Sequence, residues 1–150
     1  MAKFVFRLQS YLGVKEQLEE QKKNEYGEAL RRVEVEKQKK RKLEQELSEN
    51  VDSFKSALES AKAPIDPREI RRYNNRIELL KVWIIEQEER IKKAERFAEE
   101  KRLELVEAMK ERKALETVKD RNYEEYLEEE KRAEQTVVDG IVSYQYASVE

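Results

Sequence analysis

AKAPIDPREI, residues 61–70, is the only strong interruption in a chain that otherwise favours helix throughout. Pro64 disfavours the helical conformation at the residue before it, so a preceding helix is expected to stop at or before Ala63. Asp66, Pro67 and Glu69 then have the form of a new helix start. Asp66 is placed to cap, Pro67 suits the first turn, and Glu69 stands at the third position of a capping box. Ile65 and Ile70 fall where a hydrophobic staple would put them. The chain is therefore read as helix one over about 5–62, a turn over 63–66, helix two over about 67–138, and a flexible tail over 139–150.

Downstream of the break, Ile70, Ile77, Ile84, Ile91, Ala98 and Leu105 recur every seven residues, with Tyr73, Leu80, Ala94, Ala108 and Leu115 interleaved. A sustained sevenfold repeat forms a seam against a partner helix. Gln87, Lys101, Arg112 and Lys119 interrupt it, predicting weaker packing toward the C-terminal half; Tyr126, Ala133 and Val137 resume it. Upstream, Leu43, Leu47, Val51, Phe54, Leu58 and Ala61 form the facing stripe, continued further back by Leu8, Leu12, Leu18, Tyr26, Leu30 and Val33. Gly13 and Gly27 each cost around 1 kcal/mol relative to alanine within a helix, which predicts a start after Ser10 or flexing at these points. A short connection between two long amphipathic helices makes them antiparallel neighbours. The expected fold is thus all-α: a long antiparallel two-helix coiled-coil hairpin, on the order of 80 Å in length at 1.5 Å per residue.

Composition agrees with this reading. Of the 150 residues 44% are charged and 38% hydrophobic, with three glycines and two prolines. Disorder is the competing outcome for so charged a chain, but a net charge of only −2 and regular apolar spacing oppose it. Acidic and basic side chains are interleaved, as on solvated helix flanks; even the densest basic stretch, Lys37 to Lys42, is balanced by Glu34, Glu36, Glu44 and Glu46. No nucleic-acid partner is expected.

No residue pattern in the chain points to a catalytic site. There is no cysteine and no histidine, so disulfides, thiolate metal sites and the commonest general base are all missing. Gly13-Val14-Lys15 and Gly27 lack the frame of a phosphate-binding loop. Glu88-Glu89 and Glu128-Glu129-Glu130 lie on solvated flanks that would not separate two carboxylate pKa values. No enzyme activity, cofactor or metal is expected. The longest apolar run, Val82-Trp83-Ile84-Ile85, is far shorter than the roughly 20 residues that span a bilayer, and the N-terminus lacks a secretion-signal core. The natural compartment is the cytoplasm.

One cluster departs from the seam. With Ile77, Leu80 and Ile84 facing helix one, Leu79, Val82, Trp83 and Ile85 point partly or wholly away from it. They either broaden the core near the turn or form a partner-docking patch, as exposed apolar clusters and tryptophan anchors do. Phe97, Leu103 and Val106 make a second off-seam set, read as supporting core.

The opening Phe4-Val5-Phe6-Arg7-Leu8, followed by Leu12, Lys15, Glu16 and Glu19, resembles the start of the flagellar export protein family FliJ. The charged run of Arg112, Lys113, Leu115, Glu116, Lys119, Arg121, Glu124, Tyr126, Glu129, Arg132, Glu134 and Asp139 is similar to that family's second helix. Gly140, Tyr144 and Tyr146 depart from the pattern. The resemblance spans essentially the whole chain. It implies a cytoplasmic component of the flagellar type III export apparatus, held at the inner face of the membrane only through protein partners. Such proteins are similar to the central stalk of rotary ATPases. They insert their paired termini into a hexameric export ATPase and promote its activity, contact the cytoplasmic domain of the export gate, and hold export chaperones. By position along the hairpin, the resemblance assigns Phe4, Phe6, Arg7, Leu8, Arg112, Leu115 and Tyr126 to the ATPase ring, and Leu79, Val82, Trp83 and Ile85 to the gate. A homodimeric coiled-coil spacer and an export chaperone or adaptor are the alternatives open to the same pattern.

Overall fold

The computed structural model describes residues 3–60 and 64–149. Two helices account for nearly all of them: α1, Gln9–Glu59, and α2, Pro67–Val149. They pack against each other as an antiparallel hairpin, and the described residues contain no strand. The expected helix-one end, between Ala61 and Ala63, lies outside the described residues. α1 is helical to Glu59, and Ser60 closes its last turn by donating backbone and hydroxyl bonds to the Ser56 carbonyl, 2.9 and 2.6 Å. At the other side of the break, Asp66 caps α2: its Oδ1 accepts the Arg68 N–H at 3.0 Å, and its carbonyl accepts from Glu69 and Ile70 at 3.0 and 3.3 Å. The reciprocal half of the capping box is absent among the described residues, since Glu69 makes no bond back to Asp66.

Residues 22–104 form one compact unit. Leu80 is fully buried, and Ala29, Val33, Ala94 and Ala98 make a core of small side chains. Phe54 and Tyr73 pack at 5.2 Å between ring centroids. Gln87 is the one buried polar side chain among the described residues, 4% exposed; its amide donates to the Glu36 carbonyl at 3.0 Å and to the Glu36 carboxylate. Ion pairs stitch the flanks: Lys22–Glu104 at 3.1 Å, Glu25–Lys101 at 3.5 Å, Lys37–Glu95 at 3.7 Å, Lys40–Glu88 at 3.3 Å and Glu46–Arg76 at 3.3 Å. Numbers rise on α1 as they fall on α2, as antiparallel pairing requires. Each exposed pair adds little energy, but their mixed signs along α1 oppose other registers.

Residues 1–21 and 105–150 make up the second unit. Phe6 and Leu12 are buried, as is Ala108. Lys15 meets Glu111 at 2.7 Å, Arg112 bridges Glu19 and Glu116, and Lys119 donates to Gln9 at 2.8 Å. The seam positions expected to weaken packing are thus filled by polar pairs.

Helix one starts at Gln9, not at 5; residues 3–6 are non-helical. Their alternation explains this: Phe4 and Phe6 face α2 while Val5 between them is 81% exposed, the two-residue period of extended chain. α1 runs unbroken through Gly13 and Gly27. Leu8, Leu30 and Leu58 are exposed rather than in the stripe, and Ala29 and Ala57 turn inward instead of the last two. Small side chains let the helices approach closely, which favours Ala29 over its larger neighbour. Finally, the region expected to be a tail from residue 139 is helical through Val149, because no proline follows Pro67 and an existing helix extends without a new nucleus.

Candidate partner-docking surfaces

Heptad phasing sends Ile77, Leu80 and Ile84 toward α1 and leaves the back of α2 to Leu79, Val82 and Ile85. These are 42%, 49% and 62% exposed. Trp83 lies at the edge between seam and back face and is half-buried. Arg76, one helical repeat earlier, stacks on its ring at 5.3 Å and also pairs with Glu46. The guanidinium over the ring gives the apolar patch a charged border.

The second surface gathers the N-terminal segment and α2 beyond residue 105. Phe4 packs edge-on against Tyr123 at 5.2 Å and against Tyr126 at 5.5 Å, and Lys119 lies over the Phe6 ring at 6.0 Å. Burial raises the Tyr126 hydroxyl's pKa, and the neighbouring Glu130 carboxylate adds to it. Of the residues assigned to this region from the sequence, Phe6 is buried, Phe4, Leu115, Arg112 and Tyr126 are half-buried, and Arg7 and Leu8 are exposed. The Arg112 pKa is raised by its bonds to Glu19 and then Glu116. Phe4 and Tyr126 therefore join one aromatic cluster with Tyr123, Phe6 is buried beneath Lys119, and Arg7 and Leu8 are exposed next to them in the chain.

Beyond Glu130 the described chain places nothing against α2: residues 131–149 are all exposed. Val137, Val138, Ile141, Val142 and Val149 share one face of this stretch, with no charged residue from 140 to 149. This stripe was missed in reading the sequence as a tail. The signal was present, since the pairs 137/138 and 141/142 are one helical turn apart.

Among the described residues no cluster of acidic, cysteine or histidine side chains could hold a metal, and no helix is long and apolar enough to cross a membrane. The hollows are open grooves between charged side chains, lined by groups such as Glu25, Arg32 and Lys101. Geometry of this kind defines a helical hairpin that offers surfaces rather than a cleft.

The flagellar FliJ protein family model matches residues 4–150. The chain belongs to that family, and is a component of the flagellar export apparatus. No curated protein and no solved structure gives a significant match.

Proposed function

We propose that this protein is a cytoplasmic stalk of the export apparatus: it docks its terminal region into the hexameric export ATPase, promotes ATP hydrolysis, and links the ring to the export gate and export chaperones. The observation that carries this reading is the bare stripe of Val137, Val138, Ile141 and Val142 on a helix that continues past its intramolecular partner. An uncharged helical face of this kind gains by burial in an apolar surround, at about 25 cal/mol per Å². Arg7 and Leu8 stand beside the aromatic cluster as further ring contacts, while Phe4, Phe6, Leu115, Tyr126 and Arg112 hold that end in shape. The gate contact is assigned to Leu79, Val82, Trp83 and Ile85, an apolar centre with a charged rim.

Hydrolysis by the cognate ATPase, measured with and without this protein, tests the stalk role. Stimulation together with ring binding is the expected result; neither one appearing would rule the role out. The homodimeric spacer draws on the same bare stripe, which a second copy could cover. Sedimentation decides that point, because a spacer dimerises with rising concentration and a stalk remains monomeric until it meets the ring.

A further inference from the structure

Three hollows follow one another along a single side of the hairpin within residues 22–104. The first, about 240 Å³, is lined by Leu43, Trp83 and Arg90; the second, about 440 Å³, by Arg90, Lys93, Phe97 and Arg32; the third, about 430 Å³, by Arg32, Phe97, Ala29 and Lys101. Arg90 borders the first two, and Arg32 and Phe97 border the last two, so they form one groove. Its floor is made of Ala29 and Ala94, whose small side chains leave room above the seam. Trp83 and Phe97 are two heptads apart on the same edge of α2, roughly 21 Å at 1.5 Å per residue.

The charges in the groove are unevenly satisfied. Glu25 is engaged with Lys22 and Lys101, and Glu36 with Gln87 and Lys39. Arg32 and Lys93 make no hydrogen bond or ion pair among the described residues, and Arg90 acts on Glu36 only from beyond ion-pair distance. The central hollow therefore surrounds an exposed Phe97, 42% accessible, with three cations against a single carboxylate, Glu36, which is already bonded to Gln87 and Lys39 and only partly offsets Arg90. Lys101, at 5.3 Å over the Phe97 ring, holds that ring at the groove edge. Glu28 and Glu86 lie only toward the ends.

We propose that this groove receives a third helix from a protein partner, an amphipathic segment with carboxylates on its central turns and an apolar residue seated against Phe97. Packing such a helix onto the hairpin gives a local three-helix bundle with the helix axes 8–10 Å apart, the usual spacing. Carboxylates on the incoming helix meet Arg32, Arg90 and Lys93, which favours acidic over basic partners and speeds encounter at low salt. A second copy pairing through the same groove fits less well, since it would bring its own Arg90 and Lys93 against the same cations. The inference shares Trp83 with the proposed gate patch but does not rest on the ring contact, and it holds or fails whether or not the termini meet an ATPase ring.

The test uses the full chain and a synthetic helical peptide with leucine at heptad positions and glutamate beside them. Matched peptides carry lysine in place of glutamate, or the same residues scrambled. Trp83, the only tryptophan, reports occupation of the groove by its emission. The expected result is that the acidic peptide binds at least about tenfold tighter than the basic one, shifts Trp83 emission to the blue, and weakens with salt. Arg90→Glu with Lys93→Glu should abolish binding, and Phe97→Ala should weaken it about tenfold, with circular dichroism unchanged because these side chains face solvent. Equal binding of acidic, basic and scrambled peptides, no binding of any, or full affinity in the variants would overturn the proposal. So would self-association of the chain that Phe97→Ala removes.

Discussion

The Gln87 amide crosses the seam to bond both the backbone carbonyl and the carboxylate of Glu36. It sits where the sevenfold ladder asks for an apolar residue, between Leu80 and Ala94. A buried polar residue at such a position lowers stability while specifying one register, because any slip leaves it unpaired. Gln87→Leu is expected to raise stability by about 1 kcal/mol, a Tm rise of roughly 2–4 °C. Gln87→Ala, which loses the bonds without filling the space, should lower it by a similar amount. Register is read separately by oxidative cross-linking of Val33→Cys with Ala94→Cys in this cysteine-free chain. The pair should cross-link efficiently with Gln87 present and less so in Gln87→Leu, with full cross-linking in both denying Gln87 a register role.

Gly13 and Gly27 lie inside α1 with helical backbone, and a Cβ built on either meets nothing within 4 Å. Replacement by alanine costs no space and removes unfolded-state freedom. Each substitution is expected to stabilise by about 0.5–1 kcal/mol, seen as a higher midpoint in urea with an unchanged slope. A loss of stability would mean that the helix is distorted at these points.

Glu36 and Glu104 carry pKa values below the ordinary carboxylate value, Glu36 chiefly through the bond from Gln87 and Glu104 through bonds from Lys22 and then Lys101. A pKa depressed on folding means that the unfolded chain binds protons more readily. The stabilisation is therefore complete above the unfolded-state value and is lost as pH falls through the folded one. Thermal unfolding should be flat near neutrality and decline through the carboxylate range. Glu36→Gln with Glu104→Gln should shallow that decline; an identical acid limb would show that other carboxylates govern it.

Ile141 is exposed, 53% accessible, on the stretch of α2 that the described chain leaves uncovered. Ile141→Glu is expected to leave folding stability within about 0.5 kcal/mol of the parent and to weaken binding to the export ATPase by at least about tenfold. Unchanged ring affinity in co-sedimentation would move the contact elsewhere.

Much of the hairpin was legible because its signals are local. Asp66 and Pro67 start α2 by capping chemistry that depends on a few neighbours, and the ladder from Ile70 to Leu105 needs only spacing. The exposed back-face patch was legible too, since Leu79, Val82 and Ile85 conflict with the phase set by Leu80 and Ile84. Phase on α1 was harder. Charged residues occupy several of its seam positions, so Leu30 looked like the inward residue although Ala29 fits the close approach to Ala94 and Ala98. The Phe4–Phe6 segment was read with a helical period when its alternation is extended. Residues 139–149 were misjudged because Gly140 and the β-branched run have poor intrinsic propensity, whereas helix continuing from α2 answers to a different constraint.

That continuation has a kinetic consequence. A free peptide of the composition of residues 131–149 would have to close its first turn unaided, the slow and unfavourable step in coil-to-helix conversion. Here the preceding turns of α2 supply the template, so an incoming protein meets a surface already in shape. Part of the ordering penalty of association has been met within the chain before the encounter begins.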